Sequence, residues 1–356
     1  MEIEPPLQVF YNALMKKDGE EGENGRILED ERELVVEECD ELPLIDLGLL
    51  KMGNLEREKC KRQIVEAARN WGFFQVVNHG VPERALKAVM FEQKKVFNQP
   101  FEKKSLRNFM NLSGSYRWGN SQAISPTQIS WSEAFHIAVL EVPSLEDQYL
   151  SLRSTVEGVV KKFGGLAESI AEILGQSLGM KSSYFEESCK RGRSSFRLNR
   201  YPPCPFASKV YGLVPHTDTD FLTILYQPPQ INALHLMKDG NWLAVKPNPQ
   251  ALLVNIGDLL QVVSNDVFKS LKHRVIASEA VERFSFAYFY CPSDDVMIES
   301  CTKPSIYRQF SYKEYRQQIE KDVEKTGDKV GLPRFLLHNI MHVSNQYLMS
   351  TNSRDS

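Results

Sequence analysis

Between Phe196 and Tyr290 the chain breaks into eight short runs of strand composition, 196–201, 211–216, 221–227, 233–236, 241–246, 251–256, 272–277 and 282–290, with turn residues between them. Strands this short at this spacing point to a sandwich or jelly roll. Helical periodicity lies outside that block. It covers 54–70, with Ile64, Val65, Ala67 and Ala68 as the apolar positions, then 83–97, 145–178 and 312–324. Two strand patterns come earlier, 42–47 and 72–78, the second ended by Gly80 and Pro82. Residues 104–126 are loop-like. The class is therefore α+β, with the early elements covering one face and the edges of the later β core. Four parts follow: a flexible acidic lead-in over 1–41, poor in aromatics from Lys16 onward; cap and scaffold helices over 42–190; the β core over 191–295; and helices with a polar tail over 296–356.

Two of the strand-like runs carry metal-ligand chemistry. In a strand, residues i and i+2 share a face, so His216 and Asp218 are able to grip one ion while Thr217 turns away. His273 stands before Arg274-Val275-Ile276-Ala277, so a second strand closes the site. H-x-D alone occurs by chance in many chains, and the second strand-borne histidine sets this one apart. Two histidines and one carboxylate cap one face of an octahedral ion and leave the opposite positions open, the ligand set of non-haem Fe(II) oxygenases.

Bulk composition removes several other classes. A net charge of −3 with interspersed signs advertises no basic face for nucleic acid or acidic lipid. No apolar run reaches the length of a membrane span, and the first residues lack the order of a signal peptide. The cysteines Cys39, Cys60, Cys189, Cys204, Cys291 and Cys301 are scattered without a C-x-x-C pair. This fits a reducing compartment, the cytosol by default with access to the nucleus. Of the other histidines, His79 reads as a turn residue and His136 as buried and hydrogen-bonded, with an approach to the substrate cavity as its competing reading. His235, His338 and His342 lack metal spacing, and Cys204 reads as a packed thiol.

From about Leu42 to residue 335 the chain resembles the plant 2-oxoglutarate- and Fe(II)-dependent dioxygenases. The resemblance rests on Leu42-Pro43-Leu44-Ile45-Asp46-Leu47, the segment Trp71 to Val81, Arg197-Leu198-Asn199-Arg200-Tyr201-Pro202-Pro203-Cys204-Pro205, and His216-Thr217-Asp218. Asn255-Ile256-Gly257-Asp258, Ser270 with His273-Arg274-Val275, and Arg283-Phe284-Ser285 complete it. Within that group it is most similar to gibberellin 2-oxidases acting on C20 gibberellins, through Ser115 to Asn120, Trp131 to His136, Leu236 to Gly240 and Gly331-Leu332-Pro333. The resemblance implies a double-stranded β-helix (jelly-roll) core with an N-terminal α/β cap and flanking helices. It implies Fe(II) on His216, Asp218 and His273, with 2-oxoglutarate and O2 as co-substrates and ascorbate as supporting reductant. It also implies a soluble enzyme that hydroxylates C2 of a gibberellin and yields succinate and CO2.

Further roles follow from side-chain chemistry under that resemblance. Arg283 is able to fork onto the distal carboxylate of 2-oxoglutarate, where a lysine would be only a point charge. Ser285 at i+2 adds a hydroxyl. Tyr201 is either a co-substrate contact or an aromatic packed beside Pro202, and Asn199 has the same two readings. Arg197 reads as a structural ion-pair partner. Tyr116, Arg117, Trp118 and Phe135 are substrate-wall candidates, with a purely structural role as the competing reading. Two departures from the family pattern stand out. Pro228 to His235 replaces an acidic residue and a Gly-Gly turn, leaving Asn232 as the candidate for a left-handed residue in an altered hairpin. Val262-Val263 stands where an aromatic residue is common. Rival readings are oxidation of another gibberellin carbon or of a flavonoid, and a binding protein that kept the fold.

Overall fold

The computed structural model describes residues 2–21, 36–39, 42–112, 114–190, 192–229 and 231–337. Helix α1 (Leu7–Glu21) leads the chain, followed by strands β1 (Val36–Cys39) and β2 (Leu44–Asp46), helix α2 (Asn54–Asn70), β3 (Phe73–Val77) and α3 (Glu83–Phe97). Next come β4 (Tyr116–Trp118), β5 (Glu133–Ala138), α4 (Leu150–Ser177), β6 (Ser195–Tyr201), β7 (Tyr211–His216) and β8 (Leu222–Tyr226). The chain continues through β9 (Leu234–Lys238), β10 (Asn241–Val245), β11 (Leu252–Ile256), α5 (Asp258–Val263), β12 (His273–Ile276), β13 (Arg283–Tyr290) and α6 (Tyr312–Thr326).

The strands form two facing sheets. One has the order β1-β10-β9-β12-β7, and the other β2-β3-β11-β8-β13-β6-β5-β4. Consecutive strands switch sheets, β7 to β8 and β8 to β9 among them, which is the jelly-roll pattern. Alternation then sorts the side chains of the larger sheet. On β13, Phe284, Phe286, Tyr288 and Tyr290 face outward, and on β6 Phe196 and Leu198 do the same. Helix α4 covers this apolar face with Val156, Val159, Phe163, Ala167, Ile170 and Leu174, spaced for one helix face. Phe163 lies 6.5 Å from Phe196 and 6.1 Å from Phe286, ring to ring. The other face of the sheet is the unusual one: it carries polar residues into the gap between the two sheets.

Three expectations need correction. The lead-in is not uniformly flexible: α1 buries Leu7, Tyr11 and Leu14, and β1 pairs in parallel with β10. Residues 22–35 lie outside the described residues, as do His338 and His342. The stretch 104–126 contains strand β4, paired with β5 from Tyr116↔Phe135 to Trp118↔Glu133. Residues 227–233 do not form a hairpin, because β8 and β9 belong to different sheets. Asn232 is not among the residues with positive φ, so a sheet-to-sheet crossing needs no left-handed residue there. The hairpin is one connection later, between β9 and β10, where Asp239 (φ 51°) and Gly240 (φ 84°) supply the two positive angles of a tight turn.

Candidate active site

A cavity of about 450 Å³ opens between the two sheets. The smaller sheet contributes Leu213 and His216 from β7, and His273 and Val275 from β12. His216 closes β7 and faces His273 across the ladder, and the two ring centres are 4.3 Å apart. Asp218 lies two residues past the strand end, not within the strand, yet the i, i+2 relation holds. Its Oδ1 is 3.7 Å from His216 Nε2 and 3.8 Å from His273 Nε2, and one ligand atom from each residue lies within 4.8 Å of the others.

The donor set fits a metal in detail. The Nδ1 of His216 faces the Val214 carbonyl at 2.8 Å and that of His273 faces the Leu271 carbonyl at 3.2 Å, so both Nε2 atoms point at the shared space. Burial, and then the neighbouring His273, push the His216 imidazole down to about 3, leaving it neutral as a ligand must be. Asp218 goes the other way. Burial would raise its carboxyl, but the two imidazoles and donors from Thr223 and Asn255 outweigh this and bring it down to about 2. Its Oδ2 accepts from Thr223 Oγ1 (2.6 Å) and Asn255 Nδ2 (2.8 Å), which leaves Oδ1 for the ion.

A hydroxyl carries one proton, yet Thr223 Oγ1 also lies 2.8 Å from Asp220 Oδ2. Burial and the nearby Asp218 raise the Asp220 carboxyl well above its usual range, so a protonated Asp220 completes that chain. The packing is tight: a Cβ at Gly257 would sit 2.0 Å from Asp220 Oδ1. Thr217 turns away as alternation requires. Lys329 Nζ donates to its carbonyl (2.7 Å), to its hydroxyl (2.8 Å) and to Asp258 (2.5 Å), and Tyr315 also donates to Asp258 (2.6 Å).

The larger sheet supplies the opposite wall. Arg283 and Ser285 on β13 pair in register with Tyr201 and Asn199 on β6, and all four line the cavity. Arg283 donates to Gln227 Oε1 (2.7 Å) and reaches Ser285 Oγ at 3.5 Å, and its guanidinium lies 4.9 Å from the centre of the Tyr201 ring. None of those neighbours is a carboxylate, and burial pushes the guanidinium down from its ordinary value. A buried cation held by neutral groups beside a metal triad is built to receive an anion. Behind this wall Gln93 Nε2 donates to the Asn199 (2.8 Å) and Ser285 (3.0 Å) carbonyls, tying the two strands to α3.

Residues 192–292 match the 2OG-Fe(II) oxygenase superfamily, and residues 42–154 match the non-haem dioxygenase in morphine synthesis N-terminal family. The chain is 49% identical to Arabidopsis thaliana gibberellin 2-beta-dioxygenase 8 across 94% of its own length and 99% of the relative's. The chain belongs to the 2OG-Fe(II) oxygenases. It is also 40% identical to gibberellin 2-beta-dioxygenase 6 of Oryza sativa subsp. japonica, across 95% of this oxygenase and 97% of the relative. The crystal structure of JOX2 in complex with 2OG, Fe and JA superposes with a TM-score of 0.71 at 28% identity, covering 83% of this oxygenase and 89% of JOX2. This oxygenase is therefore a 2-oxoglutarate- and Fe(II)-dependent dioxygenase that uses O2. No helix among its described residues is long and apolar enough to cross a membrane.

The substrate-wall candidates fare differently. Tyr116, Trp118 and Phe135 do not line the cavity of this oxygenase. β4 and β5 present them to the outer face, where Phe135 packs on Phe97 and Phe109, and Trp118 on Phe10 and Phe101. Arg117 has the opposite parity but stands exposed on the edge strand, outside the cavity lining. His136 and Ala138 are the cavity residues of β5, and His136, expected to be buried, is instead open to the cavity space. His79 and His235 lie outside the cavity, the former accepting from the Val81 amide at 3.2 Å. Thr223, Gln227 and Lys329 went unassigned from sequence. Only Asn255 sat in a recognisable motif, and its bond to Asp218 was not readable there. Asn255→Ala is expected to lower metal affinity or activity by about 10–100-fold, which metal titration of the purified variant would measure.

Proposed function

We propose that this oxygenase hydroxylates C2 of gibberellins, C20 forms by preference, and so inactivates them, yielding succinate and CO2. The observation that carries this reading is one cavity with a complete metal triad on one sheet and Arg283 on the facing sheet, in a chain so similar to gibberellin 2-beta-dioxygenases along nearly its whole length. His216, Asp218 and His273 hold Fe(II) in this reading. Bound iron with 2-oxoglutarate supplies the oxidising power, with ascorbate as the supporting reductant, while the protein positions the reactants and excludes water. Arg283 takes the distal carboxylate of 2-oxoglutarate as a fork, Ser285 adds a hydroxyl donor, and Tyr201 and Asn199 flank them on β6.

The rigid apolar body of the substrate packs on cavity residues such as Phe289, Leu213 and Leu225, not on Tyr116, Trp118 or Phe135. The preference for C20 forms is supported by the sequence resemblance alone, around residues 115–120, 131–136, 236–240 and 331–333. We assign the catalytic core to 191–295, with 42–190 and 296–356 as its supports. A cytosolic setting with nuclear access is supported by thiols without disulfide partners at Cys60, Cys189, Cys291 and Cys301. Incubation with Fe(II), 2-oxoglutarate and a panel of C19 and C20 gibberellins, with products identified by mass spectrometry, tests the reading. Hydroxylation at another carbon, or of flavonoids alone, would overturn it, and so would no turnover of any kind.

Arg283→Lys is expected to raise the KM for 2-oxoglutarate by about 10–100-fold, since a hydrogen bond to a charged group is worth ~1.5–3 kcal/mol, with little change in the KM for gibberellin. Ser285→Ala removes one neutral bond worth ~0.5–1.5 kcal/mol and should cost about tenfold or less. Equal losses for both substrates would take Arg283 out of this role.

A further inference from the structure

We propose that Arg197 anchors a carboxylate of the substrate at the end of the cavity away from Arg283. The proposal rests on the gibberellin reading of the site and goes beyond it by naming the group that orients the substrate. The cavity face of β6 carries Ser195, Arg197, Asn199 and Tyr201 in succession. Tyr201 stands beside Arg283, and Arg197 is four residues away, roughly 13 Å at ~3.3 Å per residue. The cavity therefore has two cationic ends with Ala287 and Phe289 along the wall of the second.

Arg197 was expected to be a structural ion-pair residue, and it is not one. Its hydrogen-bond partner among the described residues is the neutral Asn199, Oδ1 at 2.8 Å from its Nε. The other two guanidinium groups that line this end both face one carboxylate, Arg193 closely and Arg316 at a longer range. Arg193 lies 2.6 Å from Asp294 and Arg316 lies 3.5 Å from the same carboxylate. Two of the three guanidinium groups at this end thus share one carboxylate, and Arg197 is the one that it does not reach. His136 pairs in register with Arg197 and also lines the cavity. Burial, then the charges of Arg197, Arg117 and Arg316, push its imidazole down to about 3, so it is a neutral neighbour and not a competing cation. Asp218, whose charge acts on the Arg197 guanidinium, makes no ion pair with it and belongs to the metal triad. The guanidinium, open to the cavity, therefore favours an anionic ligand group, and its planar fork suits a carboxylate. With one carboxylate fixed there and the apolar body lying along the sheet, one region of the substrate is presented to the metal triad.

The test compares a C20 gibberellin with each of its methyl esters, using parent enzyme, Arg197→Gln, Arg197→Lys and Arg117→Gln, with Fe(II) and 2-oxoglutarate present. The parent should prefer the free acid to one of the esters. Arg197→Gln should raise the KM for the acid by about 10–100-fold, the range of a lost charge-assisted bond, and erase that preference, with the KM for 2-oxoglutarate unchanged. Arg197→Lys should recover part of the loss, and Arg117→Gln should keep the preference. Anaerobic calorimetric titration with the same acid and esters reads binding apart from turnover. An Arg197→Gln enzyme that keeps the parent's acid preference overturns the anchor and leaves the gibberellin reading intact. Loss of the preference in Arg117→Gln alone does the same. A parent enzyme that hydroxylates only uncharged flavonoids overturns both. If Arg197→Gln fails to fold, Arg197→Lys decides: a parent-like KM for the acid overturns the anchor.

Discussion

Asp218→Ala, like His216→Ala and His273→Ala, is expected to take succinate production to background while the protein keeps its fold. The reason lies in how the ligands are held. His216 and His273 are fixed by strand register and by backbone carbonyls, so removing the carboxylate does not release them. What is lost is the negative charge that the two neutral imidazoles lack, and with it most of the affinity for a divalent ion. Thr223 and Asn255 lose the acceptor that they share, so the apoprotein should lose about 1–3 kcal/mol of stability and still fold. Metal content by emission spectroscopy, thermal unfolding of the apoprotein and succinate formation are the three readouts. Near-normal succinate from any of the three variants would show that the triad is not the iron site.

The second large effect is on stability and lies on the outer face of the larger sheet. Glu133 and Lys104 are both fully buried, 2.6 Å apart. Glu133 also accepts from Arg200 (2.6 Å) and from the Tyr116 hydroxyl (2.5 Å), and Arg200 reaches Glu282 (2.6 Å) and Glu4 (3.2 Å). Replacing Glu133 by glutamine removes the carboxylate that Lys104 and Arg200 share, and while Arg200 keeps Glu282 and Glu4, Lys104 loses its ion pair. Leaving buried charge uncompensated costs about 3–5 kcal/mol, roughly 10 °C in Tm for a chain of this size at ~2–4 °C per kcal/mol. Thermal unfolding measures it, and a shift of a degree or two would mean that water or other groups already balance Lys104. Because the cluster lies outside the cavity, the KM for 2-oxoglutarate should be unchanged well below the new midpoint.

The closeness of His216 to Asp218 and of Arg283 to Ser285 was legible because residues i and i+2 of an extended segment share a side. Whole strands such as β6 and β13 were legible because their outward positions are mostly aromatic or apolar and alternate with polar ones. What failed was parity and pairing. Nothing local to Tyr116-Arg117-Trp118 tells which residue faces the gap, and a one-residue error moves every side chain to the wrong face. β4 itself was hidden because three residues beside Gly114 and Gly119 look like loop until β5 pairs with them. The Glu133 cluster joins positions 4, 104, 133, 200 and 282, and only the fold brings them together. Arg197 was misread for the same reason: whether an arginine has a carboxylate beside it is a fact about the neighbouring strands and helices.

The brace on Thr217 ties the metal loop to the order in which the chain is made. Lys329 is 112 residues downstream of the threonine it holds. A nascent chain therefore carries His216, Asp218 and His273 out of the ribosome long before the group that steadies them. A product ended by a stop codon just after α6 would contain every iron ligand and lack the lysine that locks their loop. Such a fragment would read as a complete oxygenase by its motifs and bind iron less firmly than the finished chain. Of these groups Lys329, and not His273, is the last to be made.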